Sequence, residues 1–382
     1  MISPIKNVDI FCTVIDNFGD IGVCWRLAQQ LQAEYGLTVR LWVDDLASFA
    51  KLEPTLNTQL AQQVCQKIDI CYWSKSDFVA SIQPYDVVIE GFGCRLPDSF
   101  LQAMAQQTPP PVWLNLEYLS AESWTLDCHG LGSAHPNLPL TQYFFFPSFD
   151  SRGGGLLREQ NLLQQRDDFL QNPQAQHNFW HSLNCTQALS VDYRLSLFAY
   201  ENQAVAALLI ALSQQQKTCF VAVPQGRVLA NVNTWANTIL KAGDKLTVGA
   251  VTVAVLPFLS PTQYDQLLWA CDINMVRGED SLIRAHWAGK PLLWHIYPQE
   301  EQAHLDKLEA WLGVSSNFMS PEWQNLQRAW VSESTNVALW ATLLTQFSQA
   351  KPQHTLFSEF LGQQETLCHK LMAFCAKKHD AI

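Results

Sequence analysis

No Cys-x-x-Cys pair occurs among the eleven cysteines of this 382-residue chain. Cys12, Cys219 and Cys271 stand inside apolar runs, as small buried hydrophobes do in a reducing compartment, so neither zinc nor disulfides are implied. No apolar segment approaches the roughly 20 residues that span a bilayer. The start, MISPIKNVDIFCTVI, carries only Lys6 before a short apolar run, with no small-residue cleavage site after it. A cytoplasmic protein with no signal peptide and no membrane contact is therefore expected. The glycines form no Gly-x-Gly-x-x-Gly fingerprint and no Gly-x-x-x-x-Gly-Lys-Ser/Thr, which removes the signatures of dinucleotide and P-loop sites. Asp-x-Asp is absent too, so no metal motif is present. Cations are the scarcer charge, 24 Lys and Arg against 35 Asp and Glu. The resulting net charge of −11 argues against general nucleic-acid binding but leaves room for a basic pocket.

What is present is an ordinary globular composition, 48% hydrophobic and 15% charged, in a chain long enough for two full cores. In the first half, strand patterns at 8–15, 38–43, 68–72, 86–90 and 112–116 alternate with helical connections, the mark of a parallel, doubly wound α/β sheet. The first strand runs into DNFGDIGVCWRLAQQL. Gly19 and Gly22 permit a tight turn there, and Ile21, Trp25, Leu27, Ala28 and Leu31 form the apolar face of a helix. That sets Asp16 and Asp20 in one β–α loop at the sheet's C-terminal edge. Singly, Asp20 is a helix cap and Asp16 a turn residue, whereas two carboxylates in one glycine-containing loop are also the makings of an acid–base site. EGFGCRLP and NLEYLSAESW leave Glu90 to Arg95, Glu117, Tyr118 and Trp124 on the same rim. FFFPSFDSRGGGLLRE predicts core phenylalanines at 144–146, then a flexible or backbone-exposed glycine loop. The domain junction is expected at 184–190, with a C-terminal helix at about 355–382 packing back across it.

Alternation restarts in the second half with strands at 193–200, 218–223 and 251–256, which leave Phe198, Tyr200 and Phe258 at strand exits. CDINMVRGEDSLIRAHWAGKPLLWHIYP then reads as a buried strand to Val276, a polar turn, a helix and a second strand at 291–296. Asp280 or Ser281 can cap that helix. Its first-turn N–H groups, with Arg277 beside them, suit an anionic group such as a diphosphate. His295 and Tyr297 end the next strand, where open α/β sheets bind ligands. Taken alone, RGEDS is a capped helix start and the aromatics are core. Together they suit a nucleotide whose base stacks while its phosphates meet N–H groups.

Two α/β domains whose strand ends face one another across a central cleft look like the GT-B glycosyltransferase architecture. More specifically, DIFCTVIDNFGDIGVCWRLAQQL and RGEDSLIRAHWAGKPLLWHIYPQ resemble EarP, the bacterial family of protein-arginine rhamnosyltransferases that act on elongation factor P. The likeness extends over nearly the whole chain and includes LFAYEN, VPQGR and YDQLLWACDIN. It implies two Rossmann-like domains, residues 1–184 binding the acceptor and 185–354 the nucleotide sugar. It further implies transfer of L-rhamnose from dTDP-β-L-rhamnose to one arginine of elongation factor P, with inversion and with neither metal nor cofactor. By position, Asp20 matches the family's proposed base, Asp16 a second essential acidic residue, and Glu279 a carboxylate needed for activity. Arg277, Asp280 and Ser281 match the diphosphate and sugar contacts, and Phe198, Tyr200 and Phe258 the aromatic nucleotide pocket. Where the family has a glutamine soon after the Pro-Phe pair, this chain has Pro261, with Gln263 two positions on. A GT-B transferase or epimerase using another nucleotide sugar, and a non-catalytic module that holds elongation factor P, stand as alternatives.

Overall fold

Aliphatic and β-branched runs become strands, and the intervening stretches of 3.6-residue periodicity become helices laid on both sheet faces, because a strand buried on both sides needs cover on both sides. A computed structural model of the chain describes residues 5–15, 18–74, 82–299 and 302–381. It divides into two units: Met1–Gln160 with Gln364–Ile382, and Asn161–Gln363. The expected junction at 184–190 falls inside the second unit. The helices Leu162–Gln171 and Pro173–Ser182 belong to that unit, where Phe169 and Phe179 pack at 6.0 Å and Phe169 meets Trp269 at 5.7 Å. Contacts between residues far apart in the chain set this boundary, and composition carries no trace of them.

Among the described residues of the first unit, eight strands form one sheet: β1 (Asn7–Cys12), β2 (Thr38–Val43), β3 (Gln62–Cys65), β4 (Ile68–Tyr72), β5 (Val87–Gly91), β6 (Val112–Leu116), β7 (Gly132–Ala134) and β8 (Thr141–Phe145). Their order is β3-β4-β2-β1-β5-β6-β8-β7, parallel except for the two edge strands β3 and β7. Ile10 of β1 lies level with Leu41 of β2 and Ile89 of β5, and all three are buried. β1 stops at Cys12, short of the expected Ile15. From there the backbone is drawn off the sheet, with Val14 N–H donating to Asp44 Oδ1 at 2.9 Å.

The single helix expected near the C-terminus is two, Leu343–Gly362 and Leu367–His379, and only the second joins the first unit. There Leu371 and Cys375 are fully buried in the core that also holds Trp25, Leu27 and Leu31 of the helix Gly19–Tyr35. Each such leucine contributes about 1.5–3 kcal/mol by leaving water. The glycine run differs from expectation as well, since Gly153, Gly154 and Gly155 are buried. A Cβ at Gly154 would lie 2.6 Å from the Phe145 ring, and one at Gly155, whose φ is +73°, 2.6 Å from the Glu365 carbonyl. The glycines let backbone approach core, which is the opposite of a flexible loop.

The second unit has six strands among its described residues: β9 (Tyr193–Leu197), β10 (Cys219–Pro224), β11 (Lys245–Val248), β12 (Val251–Leu256), β13 (Ile273–Arg277) and β14 (Leu292–His295). They run in the order β11-β12-β10-β9-β13-β14, with only β11 antiparallel. The outer edge of β14 is closed by side chains of the helix Pro321–Val331. Gln327 both accepts from Trp294 N–H and donates to Trp294 C=O at 2.7 Å, and Trp323 Nε1 donates to the Leu292 carbonyl at 2.9 Å. A parallel edge strand is thereby satisfied without a further strand.

Candidate functional site

In a doubly wound sheet, a crevice opens at the strands' C-terminal ends where neighbouring connections leave in opposite directions. The strand orders put that point between β1 and β5 in the first unit and between β9 and β13 in the second. Asp20 follows β1, Phe198 and Tyr200 follow β9, and Arg277 ends β13, while Tyr118, Phe258 and Tyr297 follow the neighbouring strands β6, β12 and β14.

In the first unit, Asp20 is the second residue of its helix, not the cap. The cap position is Phe18, which has no side-chain capping bond. Asp20 is 2% exposed, and both its oxygens are engaged: Ile15 N–H donates to Oδ2 at 3.0 Å and the Tyr118 hydroxyl to Oδ1 at 2.9 Å. Donors on both oxygens fix the carboxylate plane, the orientation from which a carboxylate can meet a planar cationic partner. Tyr118, 37% exposed, stacks on Phe92 with ring centroids 4.4 Å apart and planes 17° from parallel. Phe92 holds φ at +58° as the chain leaves β5, with its N–H donating to the Leu116 carbonyl at 2.8 Å. Three strand ends thus converge on one carboxylate. Beside them Glu117 accepts from Asn115 Nδ2 at 2.6 Å, and burial pushes its carboxyl up. Glu90, expected on the rim, turns inward instead: it accepts from Leu96 N–H at 2.8 Å, from Trp113 Nε1 at 3.2 Å and from Gln142 Nε2. Asp16 lies outside the described residues.

In the second unit, β13 delivers Arg277 directly to a left-handed Gly278, with φ +63°, and the helix Gly278–Ala288 follows at once. Glycine is required there, because any side chain would be strained and its Cβ would lie 3.4 Å from the Tyr200 hydroxyl. The cap expected from Asp280 or Ser281 is not formed. Arg277 occupies the cap position, Ser281 Oγ donates back to the Arg277 carbonyl, and Asp280 lies within the first turn. The Arg277 guanidinium, 9% exposed, sits 4.6 Å from the Phe198 ring centroid and 4.9 Å from that of Tyr200. Its Nη1 is buried with no hydrogen-bond partner among the described residues. A buried cation with an unused donor, at a helix N-terminus, is an anion site by charge, dipole and geometry together.

Further side chains gather around Arg277. His295, level with Arg277 on the neighbouring strand, is buried with Nδ1 unpartnered among the described residues. Burial and the Arg277 cation push its pKa down to about 4. Tyr200 packs edge-on against both His295 and Tyr297. Arg227, from the turn after β10, pairs with Glu201 at 2.8 Å, and a Cβ on Gly226 would touch the Phe198 ring at 3.3 Å. Phe258 stands at the exit of β12, partly exposed. Gln263 Oε1 accepts from Ser260 N–H at 3.1 Å in a capping box that starts the helix Pro261–Ala270, so this glutamine serves the helix. Glu279 is paired with Lys307 of the helix Ala303–Ser315.

Sequence reasoning had Tyr118 on the rim without its bond to Asp20, and it missed Lys307 altogether. Nothing local marks either pairing, because 98 positions separate Tyr118 from Asp20 and 28 separate Lys307 from Glu279. Among the described residues, no cluster of His, Cys, Asp and Glu has the makings of a metal site, and no helix is long and apolar enough to cross a membrane.

Comparison with known proteins bears on this geometry. Residues 8–376 match the model of a family described as elongation factor P (EF-P) rhamnosyltransferase EarP. The chain is 45% identical over 376 residues to a protein-arginine rhamnosyltransferase of Pseudomonas putida, covering 96% of this chain and 97% of that one. It is 43% identical to the protein of the same description from Pseudomonas aeruginosa, over 96% and 98% of the two chains. A solved structure described as the basis for EarP-mediated arginine glycosylation of translation elongation factor EF-P superimposes with a TM-score of 0.68 at 34% identity, covering 96% of this chain and 98% of that one. A UDP-glucose:anthocyanidin 3-O-glucosyltransferase shares the fold alone, with a TM-score of 0.53 at 10% identity over the full length of both chains. The fold is that of the GT-B glycosyltransferases.

Proposed function

The chain belongs to the EarP family of elongation factor P rhamnosyltransferases, and from that premise we propose that it transfers L-rhamnose from dTDP-β-L-rhamnose to one arginine of elongation factor P, inverting the anomeric centre without metal or cofactor. The observation that carries this reading is Arg277, a buried guanidinium flanked by two aromatic rings at a helix start, with Nη1 unsatisfied. A nucleoside diphosphate supplies what that arrangement lacks: an anion for the guanidinium and the first-turn amides, and a base to stack on Phe198, Tyr200 and Phe258. The reaction belongs in the cytoplasm, in keeping with eleven free thiols, ten of them buried.

The chemistry follows from the acceptor. A guanidinium is charged at neutral pH with its lone pairs delocalised, so it attacks only when a carboxylate orients it and takes its proton. Asp20 is that base, its plane already fixed by Ile15 and Tyr118, and Asp16, four positions earlier in the sequence, is the assisting carboxylate. As the arginine nitrogen bonds to the anomeric carbon from the face opposite the leaving group, the carbon–oxygen bond to dTDP breaks and the configuration inverts. Negative charge growing on the diphosphate meets Arg277 and the backbone amides at Asp280 and Ser281. Glu279 and Asp280 bound the sugar's end of the pocket.

Intact mass of elongation factor P after incubation with the protein and dTDP-β-L-rhamnose tests the proposal. A gain of one deoxyhexose on an arginine is the expected result. Unchanged mass, with both ligands bound, would leave a non-catalytic binding module. Tighter calorimetric binding of UDP than of dTDP would move the activity to another nucleotide sugar.

A further inference from the structure

The first turn of the helix Gly278–Ala288 poses an electrostatic problem for the donor reading, on which this inference rests. Glu279 and Asp280 both lie in that turn. Two carboxylates at a helix N-terminus satisfy its dipole themselves and repel a second anion brought to the same amides. The single cation of the turn's own sequence, Arg277, is outnumbered before any diphosphate arrives.

We propose that Lys307 is the charge-compensating, positioning residue that lets this helix start accept a diphosphate. It projects from the separate helix Ala303–Ser315 with its side chain 12% exposed, and its Nζ lies 2.5 Å from Glu279 Oε1. An amine on so enclosed a stem has little freedom to reach other anions, so its charge is spent on Glu279. The pair is neutral overall, which leaves Arg277 set against Asp280 alone rather than against two carboxylates, with the helix dipole tipping the balance toward an anion. The same contact holds the Glu279 carboxylate in one orientation toward the sugar. Lys307 acts through Glu279 and touches no reacting atom.

Calorimetric titration of dTDP and of thymidine into the full-length wild type, Lys307→Met, Glu279→Gln and the double variant tests this. Methionine keeps the packed stem and removes the charge. Lys307→Met is expected to weaken dTDP about tenfold, the size of one uncompensated charge at close range, and to leave thymidine unchanged. Adding Glu279→Gln to it is expected to restore dTDP affinity to within about twofold of wild type. Equal weakening of dTDP and thymidine would mean a structural tether and overturn the proposal. So would a double variant as weak as Lys307→Met, since the amine would then contact phosphate directly, or unchanged dTDP affinity in Lys307→Met. Wild type that binds thymidine but gains nothing from the diphosphate would overturn the donor reading itself.

Discussion

The two units place opposite charges at the same topological position. Each sheet is doubly wound, and each puts its functional side chains just beyond the strands that flank the switch point. In the first unit that position holds Asp20, an anion whose two oxygens are already hydrogen-bonded by protein donors. In the second it holds Arg277, a cation with an unsatisfied nitrogen. The backbone geometry is shared; the loop residues decide the sign. A satisfied, immobile carboxylate suits a group that must orient and deprotonate a cation, whereas an unsatisfied guanidinium suits one that must capture an anion from water. The difference teaches that one supersecondary frame can present either a hydrogen-bonded anion or an unsatisfied cation, depending on whether the surrounding chain supplies partners to that side chain or withholds them.

The largest expected effect would break that division of labour. Asp20→Asn removes the proposed base but keeps the shape, so the rate of rhamnose gain by elongation factor P is expected to fall about 10²–10⁴-fold. Calorimetric dTDP affinity, which the proposal assigns to the second unit, should stay at the wild-type value. Turnover like wild type would end the assignment of base chemistry to the first unit.

Acid should separate the units next. The second unit buries His286 and His354, pushed down to about 3 and about 4 by desolvation, together with His295. Trp311 Nε1 donates to His286 Nε2 at 3.2 Å, a bond that only the neutral ring accepts. An unfolded histidine protonates near its ordinary pKa of about 6.5, so the folded unit has its full stability above that value and loses it as pH falls toward 4. The loss should reach about 2–3 kcal/mol per histidine by pH 4.5. Tryptophan fluorescence during thermal melts at pH 7 and 4.5 checks this; a second unit no more acid-labile than the first would count against it.

Tyr118→Phe sharpens the comparison most finely. It keeps the stack on Phe92 and removes only the donor to Asp20, a charge-assisted bond worth about 1.5–3 kcal/mol. Turnover is expected to fall about tenfold or more with dTDP affinity unchanged. Turnover like wild type would reduce Tyr118 to packing.

How far the sequence is legible depends on how local the cause is. The strand-turn-helix around Arg277 was readable because hydrophobic period changes from buried run to helical spacing across a glycine, and the structure keeps that glycine left-handed. The helix cap was misread: composition shows that Asp280 and Ser281 are able to cap, but only the tight turn at Gly278 decides that they do not. The glycine run at 153–155 was misread for a related reason, since glycine means open space or close approach, and only the neighbours tell which.

By itself, the sequence determined the two doubly wound halves, the strand exits that carry Asp20 and Arg277, and the reducing character of the cysteines, because periodicity and residue type act over a few positions. Tertiary structure alone decided where the units divide, that the helix Leu367–His379 completes the first core, that Tyr118 pins Asp20, and that Lys307 neutralises Glu279. Each of these joins side chains many residues apart, and an interaction energy that depends on distance in space leaves no mark on spacing along the chain.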